Sequence, residues 1–228
     1  MRLTNFHNLP DIVVDALSTN HYSRGESDIS ITSLIDSPRV KLLQEKHNEE
    51  MEQDVSEMIW SSFGTAVHHL FEERAGTQGE DVISEERIFA ESNGWTISGA
   101  IDLQQIDDGA VIISDYKVTS VWSVIFGKKE WETQLNCYAG LVRMAKQMPV
   151  KELRIIAVLR DWQRRKAQME DTYPQSPITV VNIPMWSEQE AFDYLDSRVK
   201  LHQSASFEAQ TNGVLPQCSP QELSLIHI

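Results

Sequence analysis

The 228-residue sequence has few cysteines, an excess of acidic over basic residues and no long apolar run. Its two cysteines, Cys137 and Cys218, cannot form a disulfide framework, a four-cysteine zinc site or a four-thiolate iron–sulfur cluster. The net charge of −14 argues against a protein that coats nucleic acid non-specifically. The same charge is compatible with an enzyme that combines a local basic track with a carboxylate metal site.

No apolar run reaches the length of a membrane span, and residues 1–17 lack a basic segment followed by an apolar one. We therefore expect a cytoplasmic protein with no membrane partner. The length fits one domain over residues 1–228. We divide it into a helical N-terminal part (1–80), an α/β core with appended elements (81–204) and a poorly structured or truncated tail (205–228).

The order of hydrophobic patterns predicts an α/β fold, in which helices precede three strands, a helix and a further strand. Helices are predicted over residues 11–17, 30–44 (interrupted near Pro38), 55–74, 130–147 and 187–204, with 121–126 as a connection or short helix. Strands are predicted over residues 81–90, 95–106, 110–118, 153–159 and 178–183, and residues 160–167 are predicted to form a basic loop.

A predicted hairpin over residues 95–118 places charged side chains where apolar ones are expected. Its turn contains Asp107, Asp108 and Gly109. On its second strand, Asp115 and Lys117 are two residues apart, so both point to one face. Such charges are costly at the end of a buried strand unless they are paired or bind a metal. Alternatively, both side chains reach solvent at the frayed end of an ordinary hairpin.

Residues on the two flanking helices have spacings that place them on common helix faces. Gly64, His68 and Glu72 are four residues apart, with the glycine leaving room for close approach, and imidazole and carboxylate groups suit a divalent cation. Gln134 and Tyr138 are also four residues apart.

Taken in order, these fragments are Gly64-x-x-x-His68-x-x-x-Glu72, Gly99-x-x-Asp102, Asp115-x-Lys117 and Gln134-x-x-x-Tyr138. This series resembles the PD-(D/E)XK nuclease superfamily, and within it the RecB-like group with its phage and CRISPR-associated exonucleases. The resemblance implies a restriction-endonuclease-like core, which is a mixed central sheet flanked by helices. Ile101 stands where proline precedes the first aspartate in many members.

The resemblance also implies roles for the matched residues. Asp102 and Asp115 are expected to be catalytic carboxylates that bind Mg²⁺ or Mn²⁺, together with His68 and the backbone carbonyl of Tyr116. Lys117 is expected to orient the attacking water or stabilise the developing charge. Glu72 either binds a metal, through water or as a ligand of a second ion, or hydrogen-bonds His68, or is a surface carboxylate. No iron–sulfur cluster is expected.

DNA is the expected substrate, and several side chains are candidates to contact it. Gln134 and Tyr138 would contact DNA near the site or brace Lys117, although Tyr138 also fits a core aromatic. Further candidates are the basic residues Lys128, Lys129, Arg160, Arg164, Arg165 and Lys166 and the tryptophans Trp122, Trp131 and Trp162. Solvated surface charge and core packing are the alternatives for these residues.

The resulting functional prediction is a metal-dependent deoxyribonuclease, an exonuclease acting on linear DNA in recombination, repair or phage DNA processing. Recombination or repair proteins are its expected partners. The alternative is a nuclease-fold module that binds nucleic acid or a protein and no longer cuts. The lysine and both metal carboxylates, which degenerate members usually lose, are present here, and this favours the enzyme.

Overall fold

The computed structural model of the chain describes residues 1–18 and 25–218. The strands are β1 (Arg2–Thr4), β2 (Ile29–Ser30), β3 (Glu52–Asp54), β4 (Val82–Ser92), β5 (Trp95–Asp107), β6 (Ala110–Thr119), β7 (Val150–Leu159) and β8 (Ile178–Ile183). The helices are α1 (Asp11–Ser18), α2 (Ile31–Ile35), α3 (Pro38–His47), α4 (Ile59–Ala75), α5 (Val121–Phe126), α6 (Lys129–Lys146), α7 (Arg164–Met169) and α8 (Glu188–Asn212), and a 3-10 turn (Val55–Met58) precedes α4.

The long strands form a mixed sheet in the order β5-β6-β7-β8, and β4 also pairs with β5. The β5–β6 and β7–β8 pairs are antiparallel, whereas β6 and β7 are parallel. Helix α6 connects these two parallel strands and packs against both of them. The predicted α/β class, a mixed central sheet flanked by helices, is confirmed.

The chain separates into two compact units. The sheet unit comprises Trp60–Ala90 and Gly99–Phe192, so α4 belongs to the same unit as the strands that follow it. The second unit comprises Met1–Ile59, Glu91–Ser98 and the described residues from Asp193 onward. Within this second unit, β2 pairs in parallel with the first residues of β5, Ile29 lying opposite Ile97.

Two predicted segments differ from the structure. The predicted basic loop over residues 160–167 was wrong in its second half, because Arg164–Met169 form α7. The last helix continues to Asn212, past its predicted end at residue 204 and into the predicted tail. Residues 213–218 have no regular structure, and the remainder of the tail, 219–228, lies outside the described residues.

Within the described residues, none of the helices combines the length and the apolar character that crossing a membrane requires.

Candidate metal centre

Strands β5 and β6 bring two aspartates together at one end of their pairing. Leu103 lies opposite Ser114 in this antiparallel ladder, so Asp102 and Asp115, which flank that pair, are neighbours. Both carboxylates are buried. Asp102 Oδ2 accepts a hydrogen bond of 2.7 Å from the backbone N–H of Tyr116, which orients it beside β6. Burial, followed by the charge of Asp115, raises the pKa of Asp102, as expected for a carboxylate that is buried next to a second one.

His68 reaches the same site from α4. Its Nε2–H donates to the Tyr116 carbonyl oxygen at 3.0 Å, and this leaves Nδ1 facing the carboxylates. Nδ1 lies 3.6 Å from Asp102 Oδ2 and 3.4 Å from Glu85 Oε1. Burial alone would lower the pKa of His68, but the carboxylates of Glu85 and Asp102 outweigh it and raise the pKa. The negative charges of Glu85 and Asp102 therefore favour the protonated form of this imidazole.

Apolar packing around Tyr116 keeps His68 close enough to hydrogen-bond to its backbone. The Tyr116 ring is buried with Ala75 and Leu103, and Phe71 packs against that cluster. The ring of Tyr116 lies edge-on to His68, with centroids 5.6 Å apart. The apolar face of α4 thus docks on the β5–β6 pair and positions the histidine above the aspartates.

A polar chain extends from Asp115 to α6. Lys117 Nζ lies 2.6 Å from Asp115 Oδ2, and Gln134 Nε2 donates to Asp115 Oδ1 at 3.2 Å. The same amide group of Gln134 also donates to the Tyr138 hydroxyl at 2.9 Å. Burial would lower the pKa of Lys117, but the charge of Asp115 raises it above its ordinary value. Lys117 is therefore an ammonium that neutralises Asp115.

Glu85 belongs to this site although sequence reasoning did not find it. It lies on β4 with a backbone φ of +51°, in the left-handed region, and its Oε1 is buried without a hydrogen-bond partner. In the sequence Glu85 is one of two consecutive glutamates in a strand, and neither alternation nor a motif distinguishes it from Glu86. The only available signal was a carboxylate in a half-buried strand next to the hairpin.

The donor atoms present fit a metal ion. One ligand atom each from His68, Glu85 and Asp102 can be chosen so that all lie within 4.8 Å of one another. The buried Glu85 Oε1 has only the 3.4 Å contact to His68 Nδ1, so a cation would satisfy it more fully, whereas Asp115 Oδ2 is already paired with Lys117. Carboxylate oxygens are typical ligands of Mg²⁺ and Mn²⁺, and imidazole nitrogen is a typical ligand of Zn²⁺ and other transition metals. This cluster could therefore hold a divalent ion.

Glu72 lies apart from the cluster. Its carboxylate contacts His69 Nδ1 at 3.3 Å on the exposed side of α4. His68 and Glu72 were expected to lie on one face of α4, but only His68 reaches the site.

Among the residues predicted to contact DNA, Arg160 makes a cation–π contact with an exposed tryptophan. Its guanidinium lies over the exposed ring of Trp60, 4.8 Å from the centroid, and its backbone N–H donates to Thr119 at the end of β6. Four of the other basic candidates are exposed, namely Lys128 and Lys129 at the start of α6 and Arg164 and Arg165 on α7, whereas Lys166 is half-buried with its Nζ 5.9 Å from the centroid of the Tyr173 ring.

The three candidate tryptophans differ in what they contact. Trp122 is exposed and stacks on Phe126. Trp131 is buried, so it packs in the core and its ring cannot stack on a base. The indole N–H of Trp162 donates to the Pro174 carbonyl, which holds its ring against the protein.

Fold and site together define a mixed α/β protein with a histidine–carboxylate cluster that could hold a metal ion.

No protein-family model matches the sequence, and no curated protein matches it. Among solved structures, SSO0001 aligns over 83% of this chain and 82% of its own, at 15% identity and a TM-score of 0.52. This likeness shows a shared fold. The "Putative exonuclease" of Eubacterium rectale aligns over 87% of this chain and 79% of its own, at 12% identity and a TM-score of 0.38.

Proposed function

We propose that this chain is a metal-dependent nuclease of the PD-(D/E)XK type that hydrolyses phosphodiester bonds in DNA. The observation that carries the proposal is a continuous set of contacts around the end of β6. His68 and Asp102 both contact the backbone of Tyr116, while Asp115 contacts Lys117. Carboxylates and a histidine can hold a divalent ion, and a lysine beside them can stabilise negative charge, so these groups suit metal-assisted phosphodiester hydrolysis.

The metal would be held by Asp102, Asp115 and His68, with the carbonyl oxygen of Tyr116 available beside them. A divalent ion such as Mg²⁺ or Mn²⁺ supplies charge stabilisation at the phosphate and lowers the pKa of water. Lys117 remains an ammonium next to Asp115, so it donates hydrogen bonds and stabilises negative charge that develops during attack. Gln134 holds Asp115 from its other oxygen and keeps the carboxylate in place.

Support for DNA as the substrate comes from the surface beside this site. Arg160 and Trp60 present a cation and an aromatic ring close to Thr119, the last residue of β6. A guanidinium contacts phosphates, and an exposed indole stacks on unpaired bases. We propose an exonuclease that acts on linear DNA, in which frayed ends supply such bases, as recombination, repair or phage DNA processing would require.

The test is a cleavage time course on end-labelled linear DNA, single- and double-stranded, beside closed circular DNA. Each substrate is incubated with Mg²⁺, Mn²⁺ or EDTA. We expect loss of linear DNA only, dependent on metal, and no cleavage by Lys117→Ala or Asp115→Ala. The matched control is Lys151→Ala, which removes another lysine paired with an aspartate, Asp107, outside the site. It should cut like the wild type.

Nicking of closed circles would replace the exonuclease with an endonuclease. Full activity in Lys117→Ala or Asp115→Ala would overturn the active-site assignment. Absence of cleavage with every metal, by a folded wild-type protein, would favour a module that binds without cutting.

A further inference from the structure

Glu85 has a backbone conformation that a strand residue with a side chain rarely adopts. Its φ is +51° in the middle of the 11-residue strand β4. A left-handed conformation disfavours a residue that carries a Cβ, and such strain persists only where the surrounding structure imposes it. Strained residues cluster at functional sites, and this suggests that Glu85 has a function besides forming part of the strand.

The two consecutive glutamates of β4 have different surroundings. Glu86 Oε2 accepts hydrogen bonds from Gln104 and Lys146, so its charge is compensated. Glu85 Oε1 is buried without a hydrogen bond, and its nearest cationic partner is His68 Nδ1 at 3.4 Å, beyond normal hydrogen-bond length. With only this longer contact to a histidine, the buried carboxylate of Glu85 is less well compensated than that of Glu86, and a bound cation would complete the compensation.

Glu85 faces the same histidine nitrogen as Asp102 does. Nδ1 of His68 lies 3.4 Å from Glu85 and 3.6 Å from Asp102, so the two carboxylates approach one point from different strands. Glu72, the carboxylate that helix spacing favours, is exposed and paired with His69 instead. The carboxylate that was expected from Glu72 on α4 therefore comes from Glu85 on β4.

We propose that Glu85 is a direct ligand of the catalytic ion, placed there by the left-handed backbone at residue 85. This inference rests on the metal-binding part of the proposed function and adds a carboxylate to the set of Asp102, Asp115 and His68. A third carboxylate makes the ligand set more negative and more oxygen-rich, which favours hard cations such as Mg²⁺ and Mn²⁺.

The experiment is calorimetric titration of Mn²⁺ into the full chain and its Glu85→Gln, Glu85→Asp and Glu72→Gln variants. Glu85→Gln should weaken Mn²⁺ binding at least tenfold, because a neutral amide oxygen is a much weaker ligand for a divalent ion than a carboxylate oxygen. Glu85→Asp keeps the charge but shortens the reach, and should lose at least fivefold. Glu72→Gln removes an equal charge from α4 and should change the affinity less than twofold.

A second readout counts water on the ion. Water-proton relaxation by bound Mn²⁺ should increase in Glu85→Gln, because water takes the coordination position that the carboxylate leaves. A thermal melt in EDTA identifies any variant that does not fold. Should Glu85→Gln not fold, Glu85→Asp decides the question by the same two readouts.

The outcomes separate this inference from the proposed function. Absence of Mn²⁺ binding by the wild type would overturn both. Normal binding by the wild type, with less than the stated loss in the Glu85 variants or unchanged relaxation, would overturn the ligand assignment alone. An equal loss in Glu72→Gln would also overturn it, because the effect would then reflect general charge.

Discussion

Gly99 on β5 lies so close to Tyr138 on α6 that a Cβ built on the glycine would be 2.7 Å from Cε1 of the tyrosine ring. Tyr138 is buried, and its hydroxyl accepts a hydrogen bond from Gln134, which also donates to Asp115. The glycine thus permits α6 to approach the sheet closely enough for Gln134 to reach the site.

Gly99→Ala should therefore destabilise the protein and disturb the site together. Overpacking of this kind costs about 1–3 kcal/mol, measured by urea unfolding. The control is Gly64→Ala on α4, where no atom lies within 4 Å of the added Cβ. This helix substitution should stabilise by about 0.5–1 kcal/mol. Equal stability changes at the two glycines would contradict the close-packing argument.

Metal should stabilise the folded chain. Mn²⁺ at a hundred times its dissociation constant adds about 2.7 kcal/mol, provided that only the folded state binds it. For a chain of this length that corresponds to a melting temperature roughly 5–10 °C higher in Mn²⁺ than in EDTA. Asp102→Asn removes a ligand and should abolish the difference. A difference that persists in Asp102→Asn would place the ion elsewhere.

Lys117→Ala should separate metal binding from cleavage. The ammonium occupies Asp115 Oδ2 at 2.6 Å, so it competes with a cation for that oxygen. Its removal should leave Mn²⁺ affinity equal or higher in calorimetry while cleavage falls by about a thousandfold, the scale for loss of an electrostatic stabiliser. A large loss of Mn²⁺ affinity would instead make the lysine part of the ion's support.

The pair of Arg160 and Trp60 should contribute to DNA binding. Trp60→Ala should weaken binding of single-stranded DNA by about 1–3 kcal/mol, the typical value of base stacking, in fluorescence anisotropy with Ca²⁺ present. Arg160→Ala should reduce the slope of log affinity against log salt by about one. Arg2→Ala, which removes an exposed arginine paired with Glu52, is the control and should leave that slope unchanged.

Acid should destabilise the protein through His202. This histidine is buried, and its Nε2–H donates to the Leu34 carbonyl at 3.1 Å. Burial, followed by the nearby Arg198 cation, lowers its pKa from 6.5 to about 4. Between these values the unfolded chain binds more protons than the folded one, so the free energy of unfolding decreases as the pH falls from 6.5 to 4. Above pH 6.5 this contribution is complete.

The loss at pH 4 should be about 2 kcal/mol once solvent screening is allowed for. Urea unfolding across this range measures it, and His202→Gln should reduce the decrease. The control His47→Gln replaces an exposed histidine and should leave the decrease as in the wild type. An unchanged pH dependence in His202→Gln would mean that other groups cause it.

Several features of the fold follow from local pattern, and the structure has them where the sequence predicts them. The apolar run of β6 and the turn at Asp108 and Gly109, both with positive φ, define the hairpin locally. The period of two along β6 places Asp115 and Lys117 side by side. Helix periodicity likewise predicts α4 and α6, because these helices bury one apolar face.

Other features needed the tertiary arrangement. Residues 164–169 are basic and polar enough to be predicted as a loop, yet they form α7, where Ala167 is buried. Helix spacing selects Glu72 along with His68, but in the structure His68 contacts Asp102 whereas Glu72 pairs with His69 on the exposed side of α4.

Spacing in the sequence alone therefore determined that Asp115 lies beside Lys117 and Gln134 beside Tyr138, whereas the grouping of these residues with His68 and Asp102 came from the family resemblance. Their local periodicity sets the side chain's direction. Tertiary structure alone decided that Glu85, rather than Glu72, joins them. A left-handed backbone inside a strand and the approach of β4 to α4 depend on contacts between residues far apart in the chain, which no local pattern encodes.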